Sequence, residues 1–453
     1  MGMIARLMRV GLVGVALAAP QAALAESLAD ALISAYRASN ILDQNRAVLR
    51  AADEDVAQAV ASLRPVLSFR ASAGYSHTQL NEGLSATVSL LADILVFDFG
   101  RGAAAIAARK EAVLATRDSL LGFEQEVLLN AVGAYVTLQQ RQAVVALRQS
   151  NVRLITQELR AAKDRFDVGE ITRTDVAIAD AQLAASQADL AAAQGDVAIA
   201  IEGYKLAVGH YPKRLSTLPK MPHTAKSLAD AQAIAQRTHP SIHQLQHQVA
   251  AAEASILLAK ANMGPTLTAN ATATNGANKA DSFSMSLNLN QTLYNGGNGS
   301  SLYRQSLARR DSTLAQLHQT TAQVIQGVGI AWSNIEVARA NIAGSDRQIR
   351  SAQTAYNGVK EEAKLGSRTT LDVLNAEQNL LNARNSRLTA QAAYYNGIYT
   401  LLARMGLMTV DHLKLGIPTY DPEAYYNAVK SAPATSSQGK RLDKVLKAIG
   451  QIK

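Results

Sequence analysis

The sequence predicts a mainly α protein with a small β part, built twice over on one plan. Three observations predict it. Segments of the first half recur in the second at a nearly constant spacing. Apolar residues recur every seven positions over long stretches, and four short segments alternate apolar and polar residues with period two.

Along the chain of 453 residues, 1–25 reads as a signal peptide. Arg6 and Arg9 form its basic region, Val10 to Ala19 its apolar region, and Ala23-Leu24-Ala25 a small-x-small cleavage site. Its apolar run is too short for a membrane span, so the mature chain is expected to begin near Glu26. Cysteine is absent, which excludes disulfides, thiolate metal sites and acylation as a lipoprotein. The formal charge of +9 falls to +7 without the two signal arginines. The remaining basic residues, such as Arg141, Arg148 and Arg153, are spread along helical segments as solvated faces. Nucleic acid is a poor partner for such an exported chain.

The duplication sets the boundaries. "SLADA" occurs at 27–31 and 227–231, and Pro65 and Pro265 keep that offset of 200. Further on the offset is 197: "FDFGRG" (97–102) matches "YNGGNG" (294–299), and Gly169 and Asp175 match Gly366 and Asp372. A hairpin loop three residues shorter accounts for the change. The first repeat, 26–210, contains a helix within 27–64, strands at about 66–78 and 84–97, a long helix over 103–166 and a helix over 172–208. A proline-bearing linker, 211–226, follows. The second repeat, 227–410, has a helix within 227–263, strands at about 266–275 and 282–293, a long helix over 300–362 and a helix over 369–405. The tail, 411–453, is rich in Lys and Ser and reads as a partly mobile periplasmic segment.

Each strand has an apolar and a polar face. Leu67, Phe69, Ala71, Ala73 and Tyr75 oppose Ser68, Arg70, Ser72 and Ser76; Phe283, Met285, Leu287 and Leu289 oppose Ser284, Ser286, Asn288 and Asn290. The lengths suit transmembrane β-strands, about 9–11 residues each. A soluble sheet would alternate in the same way. If the strands cross a membrane, however, four cannot close a barrel, and an open edge in lipid leaves backbone groups unpaired. Several chains must then share one barrel.

The helices carry heptads: Ala131, Leu138, Val145, Val152 and Leu159; Val176, Leu183, Leu190 and Val197; Val328, Ile335, Ile342, Ile349 and Tyr356; Leu374, Leu381, Leu388, Tyr395 and Leu402. The two long helices extend on the order of 95 Å each, too long for a globular core.

The duplicated layout, the Gly-bounded strand-to-helix junctions and the break motifs "VGEITRTDV" and "LGSRTTLDVLNA" together resemble the outer-membrane efflux proteins, the TolC-like family, over essentially the whole mature length. The resemblance implies a homotrimer whose strands close one β-barrel in outer-membrane lipid. Its coiled-coil helices would continue as an α-barrel through the periplasm, each long helix pairing with two shorter ones stacked end to end. It implies an exit duct for small-molecule efflux or type I protein secretion, working with a periplasmic adaptor and an inner-membrane RND or ABC transporter, without cofactor. It places the breaks at the periplasmic tips. Asp372 falls on an acidic ring position and Arg368 on a linking Arg, with Thr174 and Asp175 as its partners. Val168, Gly169, Leu365 and Gly366 fall where an adaptor hairpin docks. Some members carry a second ring acid and a linking Tyr where this sequence has Asn375 and Ala363. A less acidic, less tightly locked entrance is expected, with a conductance above that of an Ala363→Tyr variant.

Other readings compete at particular residues. Gly169 and Gly366 suit helix ends, and Asp175 and Asp372 suit helix N-termini, under any function. His239, His243 and His247 share a helix face at spacings a zinc site uses, but no carboxylate or Cys completes the set. "DFG" at 98–100 lacks every other kinase motif and reads as a strand-to-helix turn. No catalytic constellation emerges. The alternative to a duct is a periplasmic coiled-coil structural protein with a soluble sheet.

Overall fold

The computed structural model describes residues 25–78, 81–277 and 279–432, with positions 440, 444, 447 and 448 beyond them. The signal segment up to residue 24 and most of the tail from 433 lie outside the described residues.

Four strands form one antiparallel sheet in the order β1 (Val66–Thr78), β2 (Asn81–Phe97), β3 (Thr266–Ala277) and β4 (Lys279–Asn290). Two hairpins from the two repeats therefore join through β2 and β3, which leaves β1 and β4 as edges within the chain. The register aligns Phe69, Leu90, Ala273 and Phe283 across all four strands. Every strand thus contributes most of its apolar residues to one face, with Val66, Leu91 and Leu95 on the other, and nothing among the described residues covers the apolar face; Met285 on it is 76% exposed. The opposite face is a hydrogen-bonded polar lattice. Ser72 and Thr87 hydroxyls lie 2.7 Å apart, Ser89 and Thr274 lie 3.1 Å apart, and Asp93, Asn270 and Asn288 form a chain across β2, β3 and β4.

Each sheet end passes into a long helix through the Gly-rich junctions. Asp98 accepts from the Gly100 and Gly102 amides at 3.0 and 2.5 Å, and Asn295 accepts from Gly299 at 3.2 Å. These side chains satisfy amides that a helix start leaves without partners. The "DFG" is indeed a strand-to-helix turn. From the junctions run α3 (Arg101–Asp167) and α7 (Asn298–Lys364), 67 residues each, or about 100 Å.

The segments 27–64 and 227–263, each expected as one helix, are two. The first divides into α1 (Leu28–Ala38) and α2 (Asn40–Ala61), with Ser39 capping α2. The second divides into α5 (Leu228–Thr238) and α6 (Pro240–Ala261), with His239 as cap and Pro240 at the first turn. Proline breaks the preceding helix, and a capping side chain starts the next. A long-range contact stands at both breaks. Gly209, ending α4 (Arg173–Val208), packs on Ala38, and Gly406, just past the end of α8 (Thr370–Arg404), packs on Thr238 and His239.

Two paired layouts result. Near the sheet, α2 and α6 lie beside α3 and α7; towards the far end, α4 and α8 do. The main core sits midway, where the short helices end: Tyr135, Tyr204, Leu128, Leu402, Met405 and Met408 are all fully buried there. Glu26 is pinned to this core, accepting from the Tyr204 hydroxyl at 2.7 Å and from the Lys213 amide at 3.1 Å.

The first part of the tail expected to be partly mobile has a defined place in the fold. Residues 411–432 run onto α2 and end in α9 (Pro422–Val429). Three tyrosines anchor it: Tyr420 and Tyr426 pack on Leu49, Val56 and Val113, and Tyr425 donates to Glu54 at 2.7 Å. Arg117 lies over the Tyr426 ring. Such aromatic anchoring outweighs the polar composition of the segment.

Candidate functional site

The ends of α3–α4 and α7–α8 farthest from the sheet form two helical hairpin tips, and both are made in one way. Gly169 and Gly366 adopt φ of +79° and +75°, a region that favours glycine. Each ends its helix in a Schellman motif. The Glu170 amide donates to the Arg165 carbonyl at 2.9 Å, and the Ser367 amide to the Glu362 carbonyl at 3.0 Å. Three residues later the next helix opens on a capping box, Thr172 with Asp175 and Thr369 with Asp372. Asp372 accepts from the Thr369 amide at 3.0 Å and its hydroxyl at 2.9 Å; Asp175 accepts from Thr172 at 3.0 and 2.7 Å.

These bonds set the charge state of the two acids. The Thr369 amide first, then its hydroxyl, holds the Asp372 carboxyl below the usual carboxylate range. For Asp175 the Thr172 hydroxyl leads and the amide follows. Both carboxyls are therefore ionised at neutral pH. The capping contribution is full above the ordinary carboxylate pKa and is lost as pH falls through the lowered one.

The candidate residues divide between the tips. Arg368, Asp372 and Asn375 stand at the second, Thr174 and Asp175 at the first. Within the chain Arg368 pairs with Glu362 at 2.8 Å, and among the described residues no hydrogen bond or ion pair joins Arg368 to Thr174 or Asp175. Thr174 and Asn375 are exposed. Val168 and Leu365 project at the extreme ends, 72% and 84% exposed. Ala363 is 5% exposed and packs with Val373, Leu380 and Tyr356. A tyrosine there overfills that cluster, so Ala363→Tyr disturbs the packing of the tip besides any lock it adds.

Between the tips lies a groove of about 370 Å³, bordered by Glu158, Arg165, Glu170, Lys360, Lys364 and Thr370. Above it the hairpins meet. Leu374 of α8 packs on Ile155, Leu159 and Ala162 of α3. Beside this contact stands a polar cluster that the sequence reading missed: Asn151 and Glu158 of α3, Tyr356 and Lys360 of α7, and Glu377 of α8. One signal pointed to it, for Glu377 lies on the apolar stripe Val373, Leu374, Leu380 and Leu381.

The three histidines have separate partners. His239 Nδ1 accepts from the Ser241 amide at 3.2 Å, His243 Nε2 lies 2.8 Å from the Arg237 carbonyl, and His247 Nδ1 lies 2.7 Å from Glu111. Burial first, then Arg404, lowers His239 to about 4, so its ring is a neutral acceptor at the start of α6.

Comparison with known proteins agrees with this architecture. The family model "Outer membrane efflux protein" matches residues 32–210 and 232–407, one stretch for each repeat. The outer membrane efflux protein BepC of Brucella suis biovar 1 is 35% identical over 418 residues, covering 90% of this chain and 92% of BepC. The outer membrane protein TolC of Vibrio cholerae is 23% identical over 63% of this chain and 69% of its own. Among solved structures, CusC superposes with a TM-score of 0.78 at 18% identity, over 84% of this chain and 92% of that one. With both repeats matched and a relative at this identity over nearly its whole length, the chain belongs to the outer membrane efflux protein family, whose members lie in the Gram-negative outer membrane and extend into the periplasm.

Proposed function

We propose that three copies of this chain form the exit duct of a tripartite export system, taking cargo from a periplasmic adaptor and an inner-membrane RND or ABC pump. The observation that carries the reading is the sheet: among the described residues it is apolar and uncovered on one face, mostly polar on the other, and ends in β1 and β4 as open edges. Three such sheets joined edge to edge supply enough strands for a barrel with lipid outside and water within. Seven-residue seams left open on the helices support the same closure. Ile41 and Val48 on α2, Ile199 and Leu206 on α4, and Ile330 and Val337 on α7 are all exposed. The exposed Val168 and Leu365 give the tips an apolar end suited to an adaptor hairpin. The soluble-sheet alternative leaves the apolar face without a cover. Transport through such a duct needs no chemistry from this chain, because the pump supplies the energy.

At the entrance, three copies of Asp372 form an anionic ring that favours cations, and Arg368 is the basic group of the closing contact. Membrane fractionation tests the assembly: a heat-modifiable trimer in the outer membrane is expected, and a soluble elongated monomer overturns it. Planar-bilayer recording tests the ring. Asp372→Asn, which keeps an acceptor for Thr369, lowers the cation-to-anion permeability ratio about threefold, as expected for a few charges acting through water and salt, and Asn375→Asp raises it comparably. Ratios unchanged in both variants remove Asp372 and Asn375 from the constriction.

A further inference from the structure

Glu377 is 3% exposed, a turn and a half along α8 from Asp372. Its Oε1 accepts from Asn151 Nδ2 at 2.8 Å, while its Oε2 is buried without a hydrogen-bond partner among the described residues. Asn151 belongs to the first-half hairpin and Glu377 to the second, so this bond spans the two. Next to it Glu158 of α3 pairs with Lys360 of α7, whose Nζ also lies 3.3 Å from the Tyr356 hydroxyl. Glu158 and Lys360 border the groove between the tips.

We propose that Glu377 is a positioning residue for the entrance: neutral, it holds the second hairpin against the first, and ionised it loosens that contact, so that the entrance opens as the proton concentration of the periplasm falls. The part concerning the entrance rests on the duct reading; the hairpin contact does not.

A buried carboxylate with one amide donor and an idle oxygen is a poor resting place for a charge. Burial is the main influence on Glu377 and pushes its carboxyl up to about 7; the Asn151 bond lowers it, Glu158 raises it and Lys360 lowers it. Tyr356 of α7 also feels the charge of Glu377. From α4 the surroundings are apolar, with Ala179 and Leu183 packed around Leu374. The sign follows from linkage. The docked hairpin holds its proton up to about pH 7, whereas a parted, hydrated Glu377 releases it near the ordinary value of 4.5. Docking is therefore firmest in acid and weakens as pH rises, until the docked form also ionises. Between pH 6 and 8 the equilibrium shifts about tenfold towards the parted form.

Hydrogen exchange of residues 370–383 in the full-length protein in detergent, normalised to intrinsic rates, reads the contact directly. Wild-type protection is expected to fall about tenfold from pH 6 to pH 8. Glu377→Gln, which keeps an acceptor for Asn151, is expected to stay at the acid level throughout. Lys360→Met removes a cation that favours ionisation and moves the fall to higher pH. Wild-type protection that does not change with pH, or a Gln variant that follows the wild-type course, overturns the proposal. So does an unshifted profile in Lys360→Met, which stands in if the Gln variant does not fold. In planar bilayers, conductance is expected to rise with pH along the same course in the wild type and to stay flat in Glu377→Gln. Exchange that shifts with pH in a protein that forms no channel overturns the entrance part with the duct reading and leaves the hairpin contact standing.

Discussion

Met285→Arg is expected to keep the chain from assembling as a heat-resistant trimer in the outer membrane, and Ser284→Arg, one residue away, to leave assembly intact. The two positions differ only in the face of β4 that they occupy. Met285 aligns with Ala271 and, through β3 and β2, with Ala92 and Leu67 on the uncovered apolar face. Ser284 aligns with Thr272 on the polar face. An arginine on the lipid side near the middle of a membrane costs about 2–4 kcal/mol, and a barrel of three chains carries that cost three times over. On the water side the same side chain stays hydrated. Heat-modifiability of outer-membrane fractions from the two variants measures the difference. Equal behaviour means that both faces meet water, and the duct reading falls with it.

Gly406→Ala is the other large effect, and it lies far from both lipid and entrance. A Cβ at this position comes within 2.4 Å of the Thr238 carbonyl oxygen and 2.8 Å of the His239 Cα. Both obstacles are backbone, so no rotamer change relieves them. The residue also has φ of +76°, closing a Schellman turn in which the Leu407 amide donates to the Leu402 carbonyl at 2.8 Å. A left-handed alanine costs about 1–2 kcal/mol and overpacking about 1–3 kcal/mol more. The sum, about 2–5 kcal/mol, falls where α8 meets the break between α5 and α6. Gly366→Ala serves as the control. It shares a positive φ of +75° but opens onto free space, so only the backbone part applies. Thermal unfolding of the two variants should separate them by several degrees, with Gly406→Ala the lower; equal midpoints would mean that the contact with Thr238 gives way at little cost.

Much of the fold was legible in the sequence because its signals are local or periodic. Thr369 and Asp372 are three residues apart, and that spacing by itself specifies a capping box. Heptads specify the contact faces of α3, α4, α7 and α8, and alternation specifies the two faces of each strand. The same locality explains what stayed hidden at the candidate site. The resemblance assigned Asp372 to an entrance ring, but the first task its carboxylate performs within the chain is to cap α8. Arg368 finds Glu362, six residues away, before any group of another hairpin.

By itself the sequence determined the duplication, the helix and strand periods, and the turn chemistry of both tips, since each depends on residues within a few positions of one another or on a repeated spacing. Only the tertiary structure decided the rest. It divided 27–64 at Ser39 and 227–263 at His239, where Gly209 and Gly406 arrive from distant helix ends. It set β2 against β3 so that one apolar face runs across both repeats. It brought Glu377 to Asn151, 226 positions away, and closed a carboxylate off from water. Burial and pairing belong to the assembled helices, and no local pattern encodes which distant side chain will be there to meet a charge.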